Sequence, residues 1–366
     1  MIQRLYSNSR VDRAGEHIGL GHGARDMDAW LLSYEIVSHW RSLHAYPLNA
    51  VAMTLKNRAL AIDVAAIIPQ RLKRYPSIRR KLQRPDKKNM ALSQMQDIGG
   101  CRAVMSTVEQ AYELKQRYED YAKRSSDRGP ELIHKWTKDY VFSPKADGYR
   151  GIHFVFKYRT TSKEAEHYNG LRIEVQIRSR LQHAWAMAVE TASVRTHQAL
   201  KSGEGREPWR RFFCLMGSAI AMREELPLVP GTDEIDLYRE IRKLASELKV
   251  IPLFEGIGHA INILRSGDVP THHSDDLYLL ELDSENREMG YRAFSRRDFV
   301  GATAEYASAE RRTENNPNVH VVLVRVGDIG ALRNAYPSYF LDASEFITLI
   351  KEASDKGDGR TPRQSR

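Results

Sequence analysis

Leu171-Arg172-Ile173-Glu174-Val175-Gln176-Ile177-Arg178 alternates apolar and polar side chains without a break. Successive side chains of a β-strand point to opposite faces. Leu171, Ile173, Val175 and Ile177 therefore line one face, and Arg172, Glu174, Gln176 and Arg178 the other. The pattern predicts a strand with one face on a core and one face wet. A carboxylate flanked by two guanidiniums, with an amide beside it, can also hold a metal and phosphates together. Two other segments favour that second reading.

The first is Lys138-Asp-Tyr-Val-Phe-Ser-Pro-Lys145-Ala-Asp147-Gly148-Tyr149-Arg150-Gly151-Ile-His153. Pro144, Asp147-Gly148 and Gly151 are turn chemistry. Around the turn stand Lys138, Lys145, Arg150 and His153, with Tyr149 at the bend. Cations beside an aromatic ring on a loop suit a nucleotide, because the cations meet phosphates and the ring stacks on a base. The second segment is basic: Arg71, Lys73, Arg74, Arg79, Arg80, Lys81, Arg84, Lys87 and Lys88. A helix is expected from Ser77 onward, with Ser77 as its N-cap. Asp97-Ile-Gly-Gly100 then precedes an expected strand at Cys101–Met105, and a carboxylate there could coordinate a metal.

Taken together, these blocks resemble the synthetase domain of the RelA/SpoT family, the alarmone pyrophosphokinases. The family pattern R-x-K-x-x-x-S-x-x-x-K-L is met by Arg71, Lys73, Ser77, Lys81 and Leu82, and D-[IV]-x-G-x-R by Asp97, Ile98, Gly100 and Arg102. The K-D-Y block is met from Lys138 to His153. The E-[IV]-Q-[IL]-R block is met by Glu174–Arg178, with His183-Ala-Trp185-Ala following on a helix. All four stand in the family's order, over roughly residues 40–200. The chain departs after that helix: Thr191 follows Glu190, and Val194-Arg195 stands where many members have Tyr-Lys.

The resemblance implies transfer of the β,γ-pyrophosphate of ATP to the ribose 3′-hydroxyl of GDP or GTP, with release of AMP. It implies Asp97 and Glu174 as ligands of Mg²⁺, a hard ion that prefers oxygen donors. Glu174 would also serve as general base. Arg71, Lys73, Ser77, Lys81 and Arg102 would bind ATP. Ser77 has two competing uses, donation to phosphate or capping of its helix. The acceptor nucleotide would fall to Lys138, Lys145, Tyr149, Arg150 and His153, with Gln176 and Arg178 behind them. His183 and Glu190, seven apart on one helix face, could reach the acceptor, whereas Trp185 is expected in the core. Two other readings keep the same blocks: a toxic relative that pyrophosphorylates the 3′ end of tRNA, and a non-catalytic nucleotide-binding regulator. The upstream His-Asp signature of the family's hydrolase domain is not recognisable among His17, His22 and Asp26, so a synthetase without hydrolase activity is expected.

Composition agrees with a polyanionic ligand. The 366 residues carry a formal charge of +9, which favours nucleotides or RNA. No strongly apolar span argues for membrane insertion, and Met-Ile-Gln-Arg-Leu lacks the apolar core of a secretory signal. Cys101 and Cys214 are too few for a disulfide scaffold or zinc site. A reducing, cytoplasmic setting is expected, and self-assembly is left open.

The expected fold is α+β: a mixed sheet flanked by helices, similar to the nucleotidyltransferase-like architecture of the family, plus a smaller C-terminal α/β module. Residues 1–25 are expected as a loose arm, 26–230 as the synthetase domain, 231–355 as the accessory module and 356–366 as a disordered tail. Helices are expected at Asp28–His44, Pro47–Ile68, Thr107–Lys123, Leu181–Ala199, Trp209–Glu225, Glu234–Lys249, Phe299–Asn315 and Ala343–Ala353. Strands are expected at Ile152–Tyr158, Asp276–Asp283 and His320–Val326. Pro227–Asp233 is the boundary candidate. Ser125–Pro130 and Tyr291–Arg297 read as surface loops. His272-His273-Ser-Asp275-Asp276 has metal-capable side chains without an established ligand spacing.

Overall fold

The alternating stretch forms the centre of a five-stranded mixed sheet. In the computed structural model, residues 2–20, 27–84, 90–124, 132–196, 198, 200, 205–254, 276–283, 288–295, 298–313, 316, 319–326 and 344–357 are described. The strands are β1 (Gln70–Leu72), β2 (Gly99–Met105), β3 (Leu132–Asp139), β4 (Ile152–Tyr158) and β5 (Arg172–Ser179). Their order is β1-β2-β5-β4-β3. Only the β2–β5 pair is parallel; the other three are antiparallel. The expected mixed sheet flanked by helices is therefore present.

One face of this sheet is apolar. Cys101, Ala103, Met105, Ile152, Phe154, Phe156, Ile173, Val175 and Ile177 are all buried there with helices α3 (Ala45–Leu60) and α5 (Val108–Arg124). Each of the Val, Ile, Met and Phe side chains among them contributes about 1.5–3 kcal/mol on burial. Burial also pushes the Cys101 thiol far up its range, which leaves it inert. Both cysteines are free.

The expected loose arm is instead partly helical. Helix α1 (Asn8–Leu20) buries Val11, Ala14, Gly15 and Ile18 against α2 (Met27–Leu43) and α4 (Tyr75–Gln83). The spacing i, i+3, i+4, i+7 is an apolar stripe, obscured in the sequence because Gly15 is one of its four positions. A Cβ at Gly15 would lie 2.7 Å from the Cβ of Leu92. Asp12 fixes the same contact by accepting hydrogen bonds from the Ser93 amide and hydroxyl at 2.7 and 2.9 Å.

Other boundaries also moved. Helix α4 begins at Tyr75 with Arg74 at its cap, so Ser77 lies inside the helix and does not cap it. Pro76 sets the start, because its fixed φ suits the first turn. Helix α3 stops at Leu60, and Asp63 then closes a turn by accepting from the amides of Ala65 and Ser106.

Helices α6 (Arg180–Arg195), α7 (Glu207–Arg223) and α8 (Glu234–Glu247) pack with α10 (Ser344–Lys356) around one apolar core. That core runs across the Pro227–Asp233 link: Phe213 and Met216 share it with Leu237, Ile241, Phe346 and Ile350. A second, antiparallel sheet has the order β7-β6-β8, from β6 (Asp276–Asp283), β7 (Glu288–Phe294) and β8 (Val319–Val326). Tyr291–Phe294 thus belong to a strand, not to the expected loop. Helix α9 (Phe299–Thr313) packs on this sheet and meets α2. Arg41 donates to Glu310 at 3.0 Å, with side-chain exposures of 7% and 5%. Tyr306 donates to the same carboxylate at 2.6 Å while its ring lies under Arg41. No described helix is long and apolar enough to cross a membrane. The Ser125–Pro130 loop, His272–Asp275 and residues 358–366 of the tail lie outside the described residues.

Candidate active site

Register decides which side chains meet. Residues paired across neighbouring strands share a face. Two rows cross the polar face of the sheet: Val155–Glu174–Gly100–Arg71, and Lys138–His153–Gln176–Arg102. Strands far apart in sequence thereby place Glu174, His153, Gln176 and Arg102 side by side. Gly100 next to Glu174 leaves space above the strand. A Cβ built there would meet only the Glu174 carbonyl oxygen, at 3.9 Å.

The loop between β3 and β4 carries Tyr149 to this face. Gly148 has φ +94°, which favours glycine, and Asp147 caps the turn by accepting from the Tyr149 amide at 3.0 Å. The Tyr149 side chain closes a ring of hydrogen bonds. Arg178 Nη2 donates to the Tyr149 hydroxyl at 2.6 Å and to Gln176 Oε1 at 2.9 Å. The tyrosine hydroxyl, whose acceptor role Arg178 fills, donates to His153 Nε2. His153 Nδ1 donates to Glu174 Oε1 at 3.0 Å, and Gln176 Nε2 donates to Glu174 Oε2 at 2.8 Å. Donors and acceptors match all round with a neutral His153 protonated on Nδ1 and an ionised Glu174.

The electrostatics agree with that assignment. Burial favours neutral Glu174, but the His153 and Gln176 hydrogen bonds hold it below the usual carboxylate range. The charge of Asp97 pushes the other way, so the two carboxylates feel each other. Burial pulls His153 down despite its Glu174 partner. Arg178 and Lys145 lie over the Tyr149 ring at 4.8 and 4.7 Å, and Tyr140 meets it edge-on.

The other half of the site is built on ions. Asp97, two residues before β2, accepts from Lys73 Nζ and Lys81 Nζ, each at 2.8 Å. Burial opposes its ionisation, but these two ammonium groups hold it well below the ordinary range. Arg102 reaches Gln176 Oε1 and His183 Nδ1, each at 3.4 Å. Burial, with Arg178 and Arg71 nearby, pushes its guanidinium down to about 9. Burial, with Arg102 and Arg178 nearby, holds His183 well below its usual value. Arg71 stands 4.0 Å from Glu190 on α6.

Most sequence-chosen residues therefore meet on one face. Lys138 is exposed at the end of β3, over the Trp136 ring at 5.2 Å. Arg150 does not join them. It is buried and donates to the carbonyl oxygens of Val141 and Pro227, tying the loop to the link after α7. The turn through Gly148 and Gly151 directs Tyr149 and Arg150 to different surroundings. His183 lies against Arg102 on the same side of the sheet as Gln176. Trp185 is in the core, its indole donating to the Phe213 carbonyl at 2.8 Å. Sequence reading passed over Tyr140, whose only signal was its place beside Lys138 in the K-D-Y block.

Asp97 and Glu174 offer hard oxygen donors, and the gap at Gly100 lies beside Glu174. This donor set suits a hard divalent ion. Among the described residues no group of three or more His, Cys, Asp or Glu side chains is placed to hold a metal, so such an ion would depend on further oxygens from a ligand.

No curated protein matches the chain by sequence. Among solved structures, the small alarmone synthetase 1 of Bacillus subtilis aligns at 21% identity and TM-score 0.42, over 51% of this chain and 91% of that one. The same enzyme bound to its product pppGpp aligns at 20% identity and TM-score 0.39, over 49% and 88%. A GTP pyrophosphokinase family protein from Streptococcus pneumoniae aligns at 18% identity and TM-score 0.39, over 51% and 88%. The family model described as the region found in RelA / SpoT proteins matches residues 70–198, the span from β1 through α6 that builds the face described above. The chain thus carries, over residues 70–198, the region found in RelA / SpoT proteins.

Proposed function

We propose that this chain transfers the β,γ-pyrophosphate of ATP to the ribose 3′-hydroxyl of GDP or GTP. The observation that carries the reading is the placement of Glu174, ionised and held from both sides by His153 and Gln176, on a face that also carries Arg71, Arg102 and Arg178. In the reaction the 3′-oxygen attacks the β-phosphorus. The bond from that phosphorus to the α,β-bridging oxygen breaks, and AMP leaves with the bridging oxygen. Glu174 takes the hydroxyl proton. Both its oxygens keep a lone pair beyond those already engaged.

Negative charge accumulates on oxygens that are already anionic, so fixed cations stabilise the transition state. Arg71, Lys73, Lys81 and Arg102 form the donor side. Lys73 and Lys81 neutralise Asp97 until triphosphate oxygens compete for them. Mg²⁺ on Asp97 and Glu174 would supply a further positive charge against the phosphates. Tyr149 would stack on the acceptor base, with Lys138 and Lys145 toward its phosphates and His153 fixing Glu174.

The test is purified protein with labelled ATP, Mg²⁺ and GDP, GTP or bulk tRNA. Label on GDP or GTP supports the reading; label on tRNA alone, or none on any acceptor, refutes it. Glu174→Gln should lower transfer by about 10²–10⁴-fold while ATP binding by calorimetry is retained. Wild-type turnover in that variant would remove Glu174 from its role.

A further inference from the structure

The Gly148–Tyr149 turn leans on a part of the chain that lies outside the matched region. A Cβ at Gly217 in α7 would lie 2.8 Å from the Gly148 carbonyl oxygen and 2.9 Å from its Cα. A Cβ at Gly148 would lie 2.9 Å from the Phe213 carbonyl oxygen and 3.2 Å from the Cα of Cys214. The two glycines thus let loop and helix touch backbone to backbone. Three neighbours seal the contact. The Trp185 indole donates to that Phe213 carbonyl, and its ring edge sits 3.2 Å from the same built Cβ. The Tyr149 ring meets Trp185 at 6.3 Å. On its far side the Phe213 ring stacks on Phe346 of α10, with centroids 6.1 Å apart and planes at 21°.

We propose that Gly217 and Phe213 of α7, backed by Phe346 of α10, are positioning residues that set the place of the Tyr149 ring, and so tune use of the acceptor nucleotide from the C-terminal part of the chain. This rests on the reading of Tyr149 as the acceptor platform. The contact is made of backbone and rings, with no flexible side chain to absorb a displacement. An added methyl at Gly217 must therefore move the turn itself, and a shift near 1 Å in a positioning contact can cost up to about 10²-fold. Asp97, on the donor side, takes Lys73 and Lys81 as its hydrogen-bond partners, so a displaced turn should reach acceptor use before ATP use.

The variants are Gly217→Ala and Phe346→Leu in the full chain. Two measurements apply to both. Steady-state kinetics should give a roughly tenfold rise in KM for GDP or GTP with KM for ATP nearly unchanged. Hydrogen exchange should show faster exchange at the amides of Lys145, Gly148 and Tyr149, which are hydrogen-bonded within the turn, with the amides of β2 unchanged. A parallel rise in both KM values, unchanged acceptor KM despite a loosened turn, or exchange that rises equally in β2 would overturn the proposal. A wild-type protein that uses no guanosine acceptor would overturn the functional reading alone, and the exchange pattern would still decide whether α7 and α10 hold the turn.

Discussion

The proposed donor and acceptor sides of the site are held by different forces. Around Asp97, one carboxylate takes both of its ammonium partners at 2.8 Å, and each partner is a long, rotatable side chain. Around Tyr149, five groups close a hydrogen-bonded ring over a turn packed directly on α7. The first arrangement can exchange partners, because an incoming anion competes with Asp97 for the same cations. The second is fixed before any ligand arrives, which lowers the ordering cost of binding. A charge-held half and a shape-held half should respond differently to substitution.

The largest effect is expected at Asp97. Asp97→Asn removes a candidate metal ligand and frees Lys73 and Lys81, so turnover should fall by about 10²-fold or more while binding of ATP without Mg²⁺ tightens. Binding that weakens would break the exchange picture. The same substitution has a pH signature. The folded-state pKa of Asp97 is depressed, so its stabilisation is complete above about pH 4 and is lost as pH falls toward the folded value. Chemical denaturation at pH 7 and pH 3 should show a larger drop in stability for the wild type than for the variant.

Arg150→Ala should act on folding instead of binding. It strips a charged donor from the buried Val141 carbonyl and from the Pro227 carbonyl, at an expected loss of about 1–3 kcal/mol in denaturant unfolding. An unchanged stability with a large rise in acceptor KM would return Arg150 to the phosphate role. The smallest effect is expected from Tyr149→Phe, which keeps the ring and breaks the hydrogen-bonded circuit at one atom. The hydroxyl's two hydrogen bonds, to His153 and from Arg178, are lost, and acceptor KM should rise by roughly threefold, with ATP use unaltered; equal changes in both would blur the distinction between the halves.

Much of the fold was legible from period alone. The alternation of 171–178 and of Ile152–Tyr158 appears as β5 and β4, and the apolar stripe from Trp30 to Trp40 as α2. Strand β3 escaped because a bulge between His134 and Trp136 breaks its two-residue period. Strand β1 escaped because it has only three residues. In the site, residue types and their order were legible, since Glu174, Gln176 and Arg178 share a face by alternation. Their partners were not. Nothing in the local sequence says that Lys73 and Lys81 of the basic segment turn to Asp97, or that Arg150 turns away from Tyr149. Those outcomes depend on register and on the path of the chain through Gly148 and Gly151.

The Arg41–Glu310 pair has a consequence for any attempt to dissect the molecule. Both ions are almost sealed from solvent, and separating such a pair by removing one member costs about 3–5 kcal/mol. A shortened chain ending near residue 232 would take from Arg41 both its carboxylate partner Glu310 and the Tyr306 ring that packs on it. It would also lay bare the inner faces of α6 and α7, which Leu237, Ile241, Phe346 and Ile350 cover in the intact protein. Inactivity in such a fragment would report collapse of its scaffold. Single-residue changes such as Phe346→Leu, which leave the ion pair and the covering helices in place, are the gentler instrument.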